Sequence, residues 1–286
     1  MNTLFVKKLT SVDFSFLCPE RGLVGETWLV DVFLHGKLNQ EGMVFDFGHV
    51  KKQMKSLIDG FADHKLLIPT ACPSVSCAAT DENITVTMQN DSCGYISCTS
   101  PVQAVSLLNL KEISLSAVTP LLKKYVKQYL PANVTDVDLH LYPEAIEGSF
   151  YHYSHGLKKH KGDCQRIAHG HRSKIEIFVD GERSAEAENN WANLWKDIYL
   201  ASQEDISDQF TREDMQYTSF SYIAIQGEFS ITLPSHKCYM IETDTTVELL
   251  SEHVAKVFKK QYPEKSVRIM LYEGVDKGAV SYSNNL

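Results

Sequence analysis

The sequence predicts an α+β chain that holds two copies of one domain, each with a largely antiparallel sheet. Three observations carry this. Val137-Asp138-Leu139-His140-Leu141-Tyr142-Pro143-Glu144 and Ser266-Val267-Arg268-Ile269-Met270-Leu271-Tyr272-Glu273 both alternate apolar and polar residues into a Leu-Tyr pair and then reach a glutamate. Alternation at period two marks a half-buried strand. Each segment follows a stretch with helical apolar spacing and a proline just beyond it, 118–130 with Pro131 and 247–262 with Pro263. The openings of the halves also correspond: Asp13 to Cys18 precedes a strand over 27–36, and Ser149 to His155 precedes a strand over 172–181.

The elements follow in order. After the first hairpin, Gly42 to Gly48 turns into a helix over 49–61; in the second half Trp191 to Lys196 stands in the matching place and enters its own helix. Each half then carries an extra β-rich segment, 83–97 and 217–242, before its second helix and last strand. The boundary falls near residue 147, giving domains 1–147 and 148–286.

Across 286 residues, 28 basic against 36 acidic side chains give a formal charge of −8, and 43% of residues are hydrophobic. A net acidic chain argues against a nucleic-acid binder, which needs a basic face. No apolar run suits a membrane span, and the start, without an apolar stretch or a small-residue cleavage site, does not read as a signal peptide. The expected compartment is the cytoplasm. Seven cysteines, an odd number, weigh against a complete disulfide framework.

The densest chemistry lies between Ser154 and His171. His169-Gly170-His171 opens a strand, so both imidazoles project from one face, and His155 joins them if its strand pairs alongside. Three neutral imidazoles with an open fourth position form the ligand set of a catalytic zinc ion, which polarises a hydroxyl or carbonyl. His-x-His alone is more often a solvated pair; the third histidine and a nearby cysteine favour metal. His152 and His160 are rival ligands, the first at odd spacing and the second in a loop. Cys164 shares its loop with Lys158, Lys159, Lys161 and Arg166, whose charge lowers a thiol's pKa and makes it a usable base or nucleophile. Asp63-His64 follows the first helix, where an acid can orient or charge an imidazole for proton transfer. Cys72, Cys77, Cys93 and Cys98 repeat a C-x4-C spacing that does not suit a zinc ribbon.

Together these motifs resemble the 6-pyruvoyl-tetrahydropterin synthase family and its bacterial 6-carboxy-tetrahydropterin relative. The family pattern is Phe-Ser-Ala-x-His, Cys, His-Gly-His, then Asp-His, Thr-x-Glu and Tyr-Glu. It is similar here to Tyr151–His155, Cys164, His169–His171, Asp63-His64, Thr246–Glu248 and Tyr272-Glu273. The resemblance implies two tandem tunnelling-fold (T-fold) domains, each an antiparallel four-stranded sheet with two helices on one face, of a family that assembles through its sheets into barrels with active sites between subunits. It implies Zn2+ on His155, His169 and His171, with Cys164 as base and Asp63 and His64 assisting proton transfer. It further implies Glu273 on the pterin ring, Thr246 and Glu248 on the substrate side, and 7,8-dihydroneopterin triphosphate as the small-molecule substrate. The basic loop suits a triphosphate.

The first copy has Cys18 near the first histidine position and Val24-Gly25-Glu26 in place of His-Gly-His, yet it keeps Asp63-His64. The second keeps the metal set but shows no Asp-His over 202–210. The expectation is one composite site per chain, with Glu144 a relic or a structural residue. The leading reading is a zinc-dependent lyase, carboxy-forming ahead of pyruvoyl-forming. The alternatives are a pterin aldolase or epimerase of the same fold, or a non-catalytic pterin-binding scaffold. Sheet edges in need of partners imply a homo-oligomer, three chains supplying six domains.

Overall fold

A computed structural model describes residues 2–283. The first half supplies β1 (Asn2–Cys18), β2 (Gly22–Gly36), α1 (Phe47–Ala62), β3 (Leu66–Pro69), β4 (Val75–Ala79), β5 (Asn83–Asn90), β6 (Gly94–Pro101), β7 (Val105–Leu108), α2 (Leu115–Lys127) and β8 (Val134–Pro143). The second half begins with β9 (Phe150–His155), β10 (His169–Val179), β11 (Glu182–Arg183), α3 (Ala185–Leu194) and β12 (Ile198–Ser202). It continues through β13 (Ile206–Arg212), β14 (Met215–Ala224), β15 (Gly227–Pro234), β16 (Cys238–Ile241), α4 (Val247–Gln261), β17 (Val267–Tyr272) and β18 (Gly278–Ser283).

Three sheets result. The first, in the order β7-β3-β1-β2-β8, uses only the first half; the second, β16-β12-β9-β10-β17-β18 with β11 on β10, uses only the second. Each is backed by two helices whose apolar stripes bury against it. Val50, Met54 and Ile58 of α1, spaced at i and i+4, lie in one core with Phe14, Trp28 and Val30; Leu250, Val254 and Phe258 of α4 lie in the other with Ile175 and Ile269. Asp46 caps α1 by accepting from the His49 amide at 3.0 Å.

These sheets correct the expectation of four antiparallel strands. They hold five and seven strands, because the short apolar segments Leu66–Pro69 and Val105–Leu108 add to β1 in parallel, and Ile198–Ser202 and Cys238–Ile241 add likewise to β9. Strands of only four or five mostly apolar residues are too short to show a readable alternation. The Trp191–Lys196 stretch ends α3 rather than entering it.

The two β-rich insertions combine. Strands β4, β5 and β6 from the first half meet β15, β14 and β13 from the second in one six-stranded sheet, joined where Thr99 faces Ser230 and Cys98 faces Ile231. Its inner face buries Val86, Ile96, Phe220 and Ile231 against Leu66, Ile68, Tyr199 and Ala201. All seven cysteines are free thiols. Cys72, Cys93 and Cys98 are buried and Cys77 is exposed, and none of these four joins a metal-competent cluster among the described residues. Within those residues no helix is long and apolar enough to cross a membrane.

The first two sheets meet face to face through β1/β2 and β9/β10. Ser15 and Ser154 share a hydrogen bond of 2.7 Å at the contact. A Cβ on Gly170 would lie 2.5 Å from the Gly25 Cα and 2.7 Å from the Ser15 hydroxyl, and one on Gly25 would land on the Tyr153 carbonyl. Gly25→Ala and Gly170→Ala are therefore each expected to destabilise the chain by about 1–3 kcal/mol through overpacking. Urea unfolding of each variant measures this, and wild-type midpoints would remove the proposed backbone contact.

Candidate metal and catalytic centre

The register of the two hairpins sets the site. In the second half His169, Gly170 and His171 face His155, Ser154 and Tyr153. In the first half Val24, Gly25 and Glu26 face Phe16, Ser15 and Phe14 in the same pattern. His155 and His169 are thus direct cross-strand partners, with His171 two residues along on the same face. One ligating atom from each of these three lies within 4.8 Å of the other two, and all three side chains are buried.

Their outer nitrogens are held by oxygen. His155 Nδ1 lies 3.1 Å from both the carbonyl and the hydroxyl of Thr245, and His169 Nδ1 lies 3.0 Å from the Arg166 carbonyl. His171 Nδ1 lies 3.2 Å from Asp13 Oδ1, an ion-pair contact without the alignment of a hydrogen bond. The three Nε2 atoms are buried without any hydrogen-bond partner. Orphaned buried nitrogens are costly. Three of them in one cluster, each backed by an outer acceptor, make the arrangement that a divalent cation satisfies. Burial, and then the neighbouring imidazoles, push the pKa of His155 and His169 well down, so both are neutral donors. The residues present fit a zinc ion on chemical grounds.

Asp13, in β1 of the first half, organises this region. Its carboxylate accepts from Thr27 Oγ1 at 2.6 Å and from Lys277 Nζ at 2.9 Å. Burial raises its pKa, but His171, Lys277 and Thr27 together outweigh that and hold it far below the carboxylate range. Its backbone also seats the next residues. The Asp13 amide donates to Asp63 Oδ1 at 2.9 Å, and its carbonyl accepts from the His64 amide at 2.6 Å. His64 takes a left-handed φ of 53°, and its Nδ1 lies 2.8 Å from Asp63 Oδ2. This brings the His64 ring 5.2 Å from that of His169, centroid to centroid. Cys164 Sγ, a His64 nitrogen and a His169 nitrogen also lie within 4.8 Å of one another. Burial opposes charge on His64, but Asp63 and Cys164 outweigh it and hold the pKa up to about 10.

Seven of the nine residues singled out by sequence converge here. Glu273 Oε1 sits 3.8 Å from His171 Nε2, joining His155, His169, His171, Cys164, Asp63 and His64. Thr246 and Glu248 do not converge: the Thr246 hydroxyl caps α4 at the Leu249 amide, and Glu248 is exposed on its first turn. The threonine that reaches the cluster is Thr245. The basic loop also differs from expectation. Lys158 pairs with Glu204 and Asp205, Lys159 with Glu204 and Asp244, and Arg166 with Asp163, so three of its four cations are engaged by acids of the loop itself, of the turn after β12 and of the approach to α4. His152 faces the other way, with Nδ1 2.8 Å from the Gly25 carbonyl, and His160 Nδ1 accepts from the Gly162 amide. Sequence reading missed Asp13, Thr245 and Lys277. The one available signal was a charge inside the apolar run Val12–Leu17.

The first half holds a counterpart built from other residues. By register Phe16, not Cys18, takes the place of His155, and Glu26 that of His171. Ser15 pairs with Leu66 and Ser154 with Tyr199, so Asp197 takes the place of His64 and shares its left-handed backbone, with φ of 55°. The match to the Asp-His pair is therefore Lys196-Asp197 rather than a segment within 202–210. Asp197 is held by Arg21 at 2.5 and 3.1 Å. Glu26 Oε2 lies 3.9 Å from His152 Nδ1. Burial pushes Glu26 up to about 7 and His152 down to about 4.

Two outcomes follow. Asp13→Asn keeps the shape but weakens the brace on His171, so zinc affinity is expected to fall by about 10–100-fold in a chelator competition; unchanged affinity would sever Asp13 from the cluster. Glu26 binds its proton more tightly folded than unfolded, so its contribution is present at low pH and lost as pH rises through about 7. Glu26→Gln is expected to gain on wild type in urea stability from about pH 5 to 7, reaching about 1–3 kcal/mol above that. A difference that stays flat with pH would contradict this.

A family model described as 6-pyruvoyl tetrahydropterin synthase matches residues 19–96 and 146–285. A putative 6-carboxy-5,6,7,8-tetrahydropterin synthase of Pyrococcus horikoshii is 43% identical over 44 residues, 15% of this chain and 25% of that protein. The alignment thus spans about a quarter of that relative's length. The 6-pyruvoyl tetrahydropterin synthase of Plasmodium vivax is similar at 16% identity over 51% of this chain and 93% of its own, with a TM-score of 0.41. That of Plasmodium falciparum is similar at 15% identity over 49% and 90%, with a TM-score of 0.40. Matched by the family model over more than half its length, the chain belongs to the 6-pyruvoyl tetrahydropterin synthase family.

Proposed function

We propose that the chain is a zinc-dependent lyase of pterin synthesis acting on 7,8-dihydroneopterin triphosphate, with residues 1–147 a degenerate copy and 148–286 the metal-bearing copy of one domain. The observation that carries this is the convergence of three orphaned histidine nitrogens with a thiol from the same half and an acid–imidazole pair from the other. His155, His169 and His171 hold the zinc ion, which acidifies the hydroxyls of the substrate side chain when bound.

The remaining work falls to the chain's own groups. Cys164 takes a proton from the substrate side chain. His64, kept cationic by Asp63, stands beside that sulfur to stabilise or relay the charge. Asp63 fixes the His64 ring, as the Asp13 amide fixes Asp63. Glu273, 3.8 Å from His171, is the carboxylate that takes the amino and ring N–H groups of a pterin through charge-assisted hydrogen bonds. The site is composite within one chain.

The engagement of three of the loop's four cations favours a second reading. With Lys158, Lys159 and Arg166 all paired to acids, a triphosphate finds few unengaged cations there, which suits an aldolase or epimerase acting on the unphosphorylated dihydroneopterin. Metal analysis with mass spectrometry of products from both substrates decides between them. About one zinc per chain and triphosphate release support the lyase. Turnover of the unphosphorylated pterin alone supports the second reading, and a zinc-free, inert protein would overturn both.

For either enzyme, Cys164→Ala and His64→Ala are each expected to lower kcat by about 10²–10⁴-fold, the usual range for proton-transfer groups. If His64→Ala turns over like wild type while Cys164→Ala is dead, the composite site is wrong.

A further inference from the structure

The loop carrying Cys164 joins β9 to β10 over residues 156–168, and its only regular piece is a short 3-10 turn, Asp163–Gln165. Connections of this length are usually mobile, which ill suits a thiol that must face His64 and His169. The tip of the inserted β14–β15 hairpin holds this one. The Gln226 amide donates to Gln165 Oε1 at 2.7 Å, and its side-chain Nε2 donates to Asp163 Oδ1 at 2.6 Å. Gln226 Oε1 accepts from Arg166 Nε at 3.1 Å. The Tyr222 hydroxyl donates to the Gln165 carbonyl at 2.8 Å and lies where a Cβ on Gly156, the residue after His155, would stand. Arg166 Nη2 pairs with Asp163 at 2.9 Å, and Nη1 reaches the His64 carbonyl at 3.4 Å. The residues on both sides of Cys164 are thus tied to one glutamine, and Gln165 is completely buried.

The first half uses its own hairpin alike. At the β5–β6 turn, Asn90 Nδ2 and Cys93 Sγ donate to the Pro19 carbonyl at 2.9 and 3.0 Å, gripping the short connection between β1 and β2. Because β15 pairs with β6, the hairpin that holds the Cys164 turn is anchored in strands of the half that supplies His64.

We propose that Gln226, backed by Tyr222, is the positioning residue that sets the Cys164 thiol against His64 and His169, giving the inserted hairpins a role in the reaction. This rests on the reading of Cys164 as the base. The test uses the full-length, zinc-loaded chain and the variants Gln226→Ala, Gln226→Glu and Asp163→Asn/Gln226→Glu. Gln226→Glu sets a carboxylate against Asp163. The double variant restores one donor facing one acceptor and keeps a negative charge before Arg166.

Both single variants are expected to lower kcat by about 10–100-fold, the cost of a thiol displaced by an ångström or so. KM and thermal midpoint are expected to stay near wild type, and the double variant to recover most of kcat. Iodoacetamide labelling of Cys164, followed by peptide mass spectrometry, reads the thiol's surroundings without turnover, and its rate is expected to shift in the single variants and return in the double. Wild-type kcat and labelling in Gln226→Ala would overturn the proposal, as would losses that merely track unfolding. If Cys164→Ala proves active, the base assignment fails on its own, while the labelling rates still decide whether Gln226 holds the loop.

Discussion

The structure depends on two sheets touching backbone to backbone. Gly25 and Gly170 leave no room for a side chain between β2 and β10, and Ser15 and Ser154 close the contact with a buried hydrogen bond. Only at that separation does Asp13 of one sheet reach His171 of the other, and only then does Lys277 complete the set around the carboxylate. A buried acid is costly alone and tolerable when cations and donors surround it. Asp13 has both, so the same contact that joins the halves also braces an imidazole of the buried histidine cluster. Its amide and carbonyl then seat Asp63 and His64, so one residue links sheet contact, histidine cluster and acid–imidazole pair.

Much of this was legible in the chain. Alternation marked β8 and β17, helical spacing marked α2 and α4 to within a few residues, and His-Gly-His with an upstream histidine marked the cluster. What stayed hidden has physical causes. Four-residue apolar strands such as Leu66–Pro69 carry no period, so their parallel docking on β1 depends on tertiary contacts. Gly170 stands between two imidazoles in the sequence, but what it provides, room for another sheet, depends on a strand far away in the chain. Thr246 and Thr245 are adjacent and chemically alike, and only the turn into α4 decides which caps the helix and which meets His155. Asp13 gave no local sign of its partners, which lie far along the sequence.

The halves show how one frame carries two chemistries. His64 and Asp197 share a left-handed backbone at matching register, and each follows the helix that crosses its sheet. In one half the frame points imidazole nitrogens inward and leaves them without hydrogen-bond partners. In the other, apolar Phe16 and Val24 replace two of those donors, and Arg21 binds Asp197 directly. At the first half's counterpart position Arg21 and Asp197 form an ion pair in the wall of a cavity, while the half's own acid–imidazole pair lies beside the histidines of its neighbour.

The six-stranded sheet that stitches the insertions together has one more consequence. In a site assembled from separate subunits, the fraction of intact centres falls as protein becomes scarce. Here His64 and His169 belong to a single polypeptide, and β6 lies against β15, so their encounter is an intramolecular event with a fixed effective concentration. Dilution cannot part them.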